Sequence, residues 1–115
     1  MLIIDRSKII TTLFADMFER RGWSVDIHDD RQCAIRLLAG DWPYDAILVG
    51  RLRGTDEVQL VGLIRGFEHR KTAAVVVITE RNEVREEILA AGADEFLLKP
   101  VNPNALVWAV DKHVS

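Results

Sequence analysis

The sequence predicts one α/β domain in which helices cover both faces of a five-stranded parallel sheet. Short apolar runs alternate with amphipathic stretches five times along the chain. The run AAVVVI at 73–78 is apolar on both faces, which is typical of a central strand buried on both sides. Repeated strand–helix alternation implies parallel strands joined by right-handed crossovers, so the fold is doubly wound. The 115 residues fit a single domain spanning 1–115.

Each strand and helix has its own local signal. Strands are predicted at 1–4, 23–28, 45–49, 73–78 and 95–98, and the second alternates apolar with polar residues as an edge strand does. Caps of a first helical turn are predicted at Ser7, at Thr55 or Asp56, at Asn82, and at Asn102 followed by Pro103, and the second helix is predicted to begin at about Asp30. The segment GFEHRK at 66–71 is predicted to be a solvated connection.

The helical periodicity also predicts which side chains face the core. In the first helix the apolar residues at helical spacing are Ile9, Ile10, Leu13, Phe14, Met17 and Phe18. Cys33 is predicted to be a small buried hydrophobic residue. In the fifth helix, Leu106 and Val110 face the core. Trp108 lies roughly 200° around from Leu106 and faces away from the sheet.

Composition excludes several classes of function. The net charge is −3, so clustered cations for nucleic-acid binding are not indicated. The apolar runs are far shorter than the roughly 20 residues of a membrane helix. The single cysteine cannot form an internal disulfide, and the three histidines lack metal-ligand spacing. We therefore expect a cytoplasmic protein with no membrane contact, no direct nucleic-acid contact and no histidine metal site.

The loops narrow the choice among doubly wound folds. The first strand is followed by Asp5-Arg6-Ser7-Lys8, with no glycine before Gly22, so a dinucleotide fingerprint and a Walker phosphate loop are both absent. Instead Asp5, Thr79 and Lys99 follow or end strands one, four and five. Because these ends lie on one edge of a parallel sheet, the three side chains are expected close together.

These residues sit in motifs that resemble the receiver domains of two-component response regulators, the CheY-like family. The resemblance covers essentially the whole chain and includes LIID at 2–5, YDAILV at 44–49, VVVIT at 75–79 and AGADEFLLKP at 91–100. It implies the flavodoxin-like (βα)5 fold with strand order 2-1-3-4-5. It also implies a link to two-component (phosphorelay) signalling.

The resemblance implies roles for particular positions. In receivers an aspartate ending strand three accepts a phosphoryl group from a histidine kinase, and two acidic residues after strand one help to hold Mg²⁺. A hydroxyl residue and a lysine contact the phosphoryl oxygens. By this resemblance Asp5 is the first acid, Thr79 the hydroxyl, Lys99 the lysine and Phe96 the switch aromatic.

Two substitutions depart from the family pattern. Gly50 stands at the phosphoacceptor position and cannot form an acyl phosphate, while Arg6 stands at the second acidic position. We therefore expect a degenerate pseudo-receiver without a catalytic residue, in which Mg²⁺ binding is weak or lost because its oxygen ligands are missing. Asp5 is expected to pair with Lys99 or with Arg6, since an unpaired buried charge is costly.

The expected role is therefore a non-catalytic, phosphorylation-independent docking or dimerisation module. The partner is another protein or a second copy, bound through the face made by helix four, strand five and helix five. Trp108 with Val107 and Ala109 beside it suits such an interface, although its ring could instead fold on its own helix. Phe96 is either a switch residue or plain core packing.

Two further functions remain open at this stage. One is phosphoacceptance through an atypical aspartate, although Asp45 and Asp56 are both predicted to lie away from the site. The other is sensing of a small anion at a rebuilt pocket. There Arg6, Arg51, Arg53 and Lys99 would converge on Gly50, and Gly54 would let the anion approach the backbone.

Overall fold

A computed structural model describes residues 1–114 and contains the ten predicted strands and helices. The strands are β1 (Leu2–Ile4), β2 (Asp26–His28), β3 (Ala46–Val49), β4 (Ala74–Thr79) and β5 (Glu95–Leu98). The helices are α1 (Lys8–Glu19), α2 (Arg31–Ala39), α3 (Glu57–Gly66), α4 (Arg85–Ala91) and α5 (Pro103–His113). Short 3₁₀ turns at Glu68–Arg70 and Asn82–Val84 precede β4 and α4 respectively.

The sheet confirms the predicted topology. Its strands are all parallel and lie in the order β2-β1-β3-β4-β5. Ile4 is level with Val49, Val49 with Val77, and Val77 with Phe96. The carboxyl ends of β1, β3, β4 and β5 therefore form one continuous edge, where ligands of open α/β sheets usually bind.

The core has two layers, one on each face of the sheet. Successive strand residues point to opposite faces, so Val75 and Val77 of β4 enter one layer while Val76 and Ile78 enter the other. Helices α2, α3 and α4 cover the first layer, and α1 and α5 cover the second. Burial on both faces explains why β4 is a continuous apolar run.

Most predicted helix caps are present. Ser7, Asp56 and Asn102 each accept a hydrogen bond from a backbone N–H in the first turn of α1, α3 and α5. Asp30, predicted only as the approximate start of the second helix, caps α2 in the same way. The cap predicted at Asn82 is wrong, because a 3₁₀ turn forms there without a side-chain cap and α4 begins at Arg85.

The predicted inner face of α1 needs correction. Ile9 and Leu13 are 77% and 63% exposed, whereas Thr11, Ala15 and Phe18 are buried. Residues 11, 15 and 18 form one stripe at helical spacing, and residues two positions earlier lie about 200° around the helix. Cys33 is half-buried, not fully buried as predicted.

The prediction of a solvated connection at 66–71 is wrong at Arg70, although Gly66, Glu68, His69 and Lys71 are exposed. Arg70 is only 1% exposed and donates hydrogen bonds to the carbonyl oxygens of Leu37, Leu38, Gly40 and Trp42. Its guanidinium carbon also lies 5.2 Å from the centre of the Tyr44 ring. Arg70 therefore fastens the end of α2 to the amino end of the sheet, because a helix's last carbonyls lack partners within the helix.

Candidate functional site

The candidate site lies where the chain leaves β1, β3, β4 and β5. The Gly50 N–H donates to the Ile4 carbonyl at 2.6 Å, and the Lys99 N–H donates to the Thr79 carbonyl at 3.0 Å. The first bond extends the pairing of β1 with β3 by one residue at its carboxyl end, and the second extends the pairing of β4 with β5 in the same way. They bring Asp5 beside Gly50, and Lys99 beside the end of β4.

Asp5 and Lys99 form a buried ion pair at the centre of this edge. Lys99 Nζ donates to Asp5 Oδ2 at 2.9 Å, and the side chains are only 16% and 5% exposed. The Ser7 N–H donates to Asp5 Oδ1 at 2.9 Å. Of the two partners expected for Asp5, the structure has Lys99, while the Arg6 side chain is exposed. Both carboxylate oxygens are thus used within the protein.

Because Gly50 has no side chain, the Asp5 side chain occupies the space beside it. A Cβ atom placed on Gly50 would lie 2.5 Å from Asp5 Cγ and 3.0 Å from Asp5 Cβ, closer than real side chains pack. The φ angle of Gly50 is not positive, so the backbone itself does not require glycine. The position that the resemblance assigns to the phosphoacceptor is therefore filled by the neighbouring carboxylate.

Thr79 and Phe96 lie on β4 and β5 as predicted, and each contacts other residues of the protein. Thr79 is fully buried, and its hydroxyl oxygen accepts a hydrogen bond from the Arg81 N–H at 3.3 Å. Phe96 is half-buried and packs against the core layer beneath α2, α3 and α4. Its position fits the packing interpretation of this residue.

A buried glutamate beside the site was not identified from the sequence. Glu57 is 1% exposed, and Arg81 Nη1 lies 3.2 Å from its Oε1. Its second oxygen, Oε2, is buried and has no hydrogen-bond partner among the described residues. An acidic residue in a first helical turn normally indicates a favourable charge at the helix amino terminus, so nothing in the sequence singled it out.

The four cationic residues do not form a common anion site at Gly50, which corrects that hypothesis. Lys99 is committed to Asp5 and lies 4.0 Å from Glu80, and Arg51 lies 3.8 Å from the same glutamate. Arg6 and Arg53 line a separate cleft. The cations are divided because each strand-end loop brings its own acidic residues.

Neither alternative aspartate reaches the site. Asp56 Oδ1 accepts a hydrogen bond from the Gln59 N–H at 2.8 Å as the cap of α3. Asp45 precedes β3 at the opposite edge of the sheet. Within residues 1–114, no group of three or more His, Cys, Asp or Glu side chains is arranged to hold a metal ion. The carboxylates available at this edge therefore do not fit the Mg²⁺ site that the resemblance implies.

The outer face of α5 carries one exposed aromatic residue. Trp108 is 60% exposed, as predicted, and Lys112 Nζ lies 4.7 Å from its ring centre. The accompanying prediction is wrong, because Val107 and Ala109 are buried at 8% and 1% exposure. The buried stripe of α5 is broad enough to take residues on both sides of Leu106 and Val110.

A cluster of charged side chains links α5 to β5. His113 Nε2 lies 3.0 Å from Glu95 Oε1, and Lys112 Nζ lies 3.3 Å from the same oxygen. The hydrogen bond with His113, with further help from Lys112, lowers the pKa of the Glu95 carboxyl below its ordinary value.

Across the described helices, none combines the length and apolar character needed to cross a bilayer.

Comparison with known proteins identifies this arrangement. The family model described as the response regulator receiver domain matches residues 1–111. The chain belongs to the receiver-domain family. Among curated relatives, protein PetR of Rhodobacter capsulatus is 31% identical over 113 residues, covering 96% of this chain and 46% of that protein. The phosphate regulon transcriptional regulatory protein PhoB of Klebsiella pneumoniae is 26% identical over 109 residues, covering 93% and 48%.

Solved structures agree with the receiver fold. A two-component response regulator from Clostridium difficile is 27% identical with a TM-score of 0.87, covering 97% of this chain and 92% of that one. The receiver domain of the sensor histidine kinase PA1611 from Pseudomonas aeruginosa is 25% identical with a TM-score of 0.86, covering 98% and 94%. That structure has a magnesium ion coordinated in its active-site cleft. The present chain spans about half the length of the curated relatives that it matches.

Proposed function

We propose that this receiver domain works without phosphorylation, as a docking or dimerisation module of a two-component response regulator. The observation that carries the proposal is the Asp5–Lys99 pair, which fills the position opposite Gly50. The lysine that would contact a phosphoryl group already has a carboxylate partner inside the protein. With no acceptor side chain at residue 50, the site has no covalent input.

Loss of Mg²⁺ binding follows from the same residues. Divalent magnesium requires several oxygen ligands, whereas Asp5, the buried carboxylate at the centre of this edge, is neutralised by Lys99. Arg6, next along the chain, adds a positive charge instead of a second acid. We infer that Mg²⁺ binding here is weak or lost.

The docking role rests on the face formed by α4, β5 and α5. Trp108 presents an exposed aromatic ring there, and tryptophan is enriched in protein interfaces. A structure with the same fold is the dimer of the beryllofluoride-activated NtrC4 receiver domain, at 20% identity and a TM-score of 0.87. The proposed partner is a second copy or another protein of the signalling system, and the proposed location is the cytoplasm. The net charge of −3 gives this domain no basis for direct nucleic-acid binding.

The phosphorylation-independent role is tested by intact-mass spectrometry after incubation with acetyl phosphate and Mg²⁺. The expected result is no phosphoryl adduct, together with an oligomeric state that light scattering finds unchanged. A doubly substituted protein, Arg6→Asp with Gly50→Asp, restores the two missing acids and serves as the control for competence of the phosphodonor. A phosphoryl adduct on the natural sequence would contradict the proposal.

A second candidate function is favoured by Asp5 itself. Its Oδ2 is 2.9 Å from Lys99 Nζ, so an aspartate does lie within reach of the lysine. In this alternative Asp5 Oδ2 attacks the phosphorus of a phosphohistidine. The P–N bond breaks, and the imidazole leaves and takes a proton from solvent. An adduct that disappears in Asp5→Asn would support this second function, whereas an unphosphorylated natural protein argues against it.

A further inference from the structure

A cleft distinct from the Asp5–Lys99 pair opens beside it, between the loops that follow β1, β2 and β3. It has a volume of about 530 Å³ and is lined by Arg6, Ser7, Asp29, Asp30 and Arg53. This volume is in the range of small-molecule sites, roughly 300–1,000 Å³. The cleft also lies outside the carboxyl ends of the strands, where open α/β sheets bind ligands.

The three loops are held together by backbone hydrogen bonds. The Asp5 N–H donates to the His28 carbonyl at 3.3 Å, which ties the first loop to the second. The Arg6 N–H donates to the Arg51 carbonyl at 2.9 Å, which ties the first loop to the third. The exposed charged side chains of the cleft are therefore carried by loops whose backbones are connected to one another.

Some polar groups of the cleft are already used inside the protein. Ser7 Oγ accepts a hydrogen bond from the Ile10 N–H at 3.4 Å, and Asp30 Oδ1 accepts one from the Cys33 N–H at 3.1 Å. These side chains cap α1 and α2. Their contribution to ligand binding is accordingly secondary.

Three charged side chains of the cleft remain uncommitted. Within residues 1–114, Arg6, Arg53 and Asp29 form no salt bridge, and their side chains make no hydrogen bond to protein groups. The two arginines line the cavity together with Asp29 and are not paired to it. Guanidinium groups bind phosphate oxygens in bidentate fashion, and a carboxylate accepts from a hydroxyl group.

We infer that this cleft binds a small phosphate monoester that also carries hydroxyl groups. The two guanidiniums bind the phosphoryl oxygens, and Asp29 accepts a hydrogen bond from a ligand hydroxyl. Binding forms no covalent bond and uses neither Asp5, Lys99 nor Trp108. Its failure would therefore leave the proposed docking function untouched.

The experiment is an NMR titration of the described domain with two probes, ribose 5-phosphate and inorganic phosphate. We expect saturable shifts in the loops after β1, β2 and β3, with ribose 5-phosphate binding more tightly. Arg6→Gln and Arg53→Gln should each weaken both probes about tenfold or more, because each removes a charged hydrogen-bonding partner. Asp29→Asn should weaken ribose 5-phosphate and leave inorganic phosphate unaffected or tighter.

The matched control is Arg21→Gln, which removes one exposed positive charge near the opposite end of α1. It should leave both affinities unchanged. An equal loss in this control would reduce the binding to general electrostatics and overturn the inference. Absence of saturable shifts with either probe would overturn it as well, as would retention of full affinity in both cleft arginine variants.

Discussion

Replacing Gly50 by alanine tests whether the Asp5 side chain really occupies the phosphoacceptor position. The new Cβ atom would lie 2.5 Å from Asp5 Cγ. Either the strand ends move apart, or Asp5 rotates away from Lys99 and from the Ser7 N–H. Both responses disturb the carboxyl edge of the sheet.

The size of the effect follows from these two routes. Overpacking a well-packed site costs about 1–3 kcal/mol. Breaking a buried ion pair by removing one partner costs about 3–5 kcal/mol, and Glu80 at 4.0 Å from Lys99 reduces this penalty. Alanine also restricts the unfolded chain, which returns about 0.4–1 kcal/mol. The cheaper route sets the cost, so we expect a net destabilisation of about 1 kcal/mol.

Urea denaturation of a double-mutant cycle measures this directly. In an Asp5→Ala background the Gly50→Ala substitution should become nearly neutral, giving a coupling energy of at least about 1 kcal/mol. Gly62→Ala is the matched control, because a Cβ there meets no atom within 4 Å and the residue lies in the exposed interior of α3. It should stabilise the protein by up to about 1 kcal/mol. If Gly50→Ala behaves like Gly62→Ala while Asp5 is intact, the steric argument is wrong.

Three further substitutions test other features of the structure. Arg70→Met should destabilise the fold by at least about 3 kcal/mol in urea denaturation, because the carbonyl groups it serves lose a buried charged donor, and a loss below about 1 kcal/mol would contradict this. Trp108→Ala should leave stability within about 0.5 kcal/mol but weaken association in sedimentation velocity, whereas the similarly exposed Trp42→Ala should change neither. Glu95 has a lowered pKa, so its stabilisation is present above the ordinary carboxyl pKa and is lost as pH falls through the lowered value. The stability difference between the natural protein and Glu95→Gln should therefore shrink between about pH 6 and about pH 3, and a difference that grows on acidification would refute the assignment.

Much of the fold could be predicted because its signals are local. The alternation of apolar runs with amphipathic stretches, and caps such as Asp56 and Asn102, act within a few residues of the structure they specify. The phase of α5 also followed from spacing, which placed Trp108 outside and Leu106 inside. The width of its buried stripe did not, since that depends on how closely the helix packs against the sheet.

The features that escaped prediction depend on contacts between distant segments. Arg70 lies in a polar stretch, and its burial becomes apparent only when the end of α2 folds over it. Glu57 is buried by Arg81, which lies beyond the next strand along the chain. The resemblance predicts that Gly50 stands at the acceptor position, but only the three-dimensional arrangement shows that the Asp5 side chain lies against it.

We propose that phosphate chemistry does not drive this receiver domain, because the Asp5–Lys99 pair occupies the space beside Gly50. The most direct test is a nitrogen–proton correlation NMR spectrum recorded with and without Mg²⁺ and beryllofluoride, which together mimic a phosphorylated aspartate. We expect no saturable shifts at Gly50, Thr79, Phe96 or Lys99. Saturable shifts at these four residues would contradict the proposal and would show that a carboxylate at this edge still accepts a phosphoryl group.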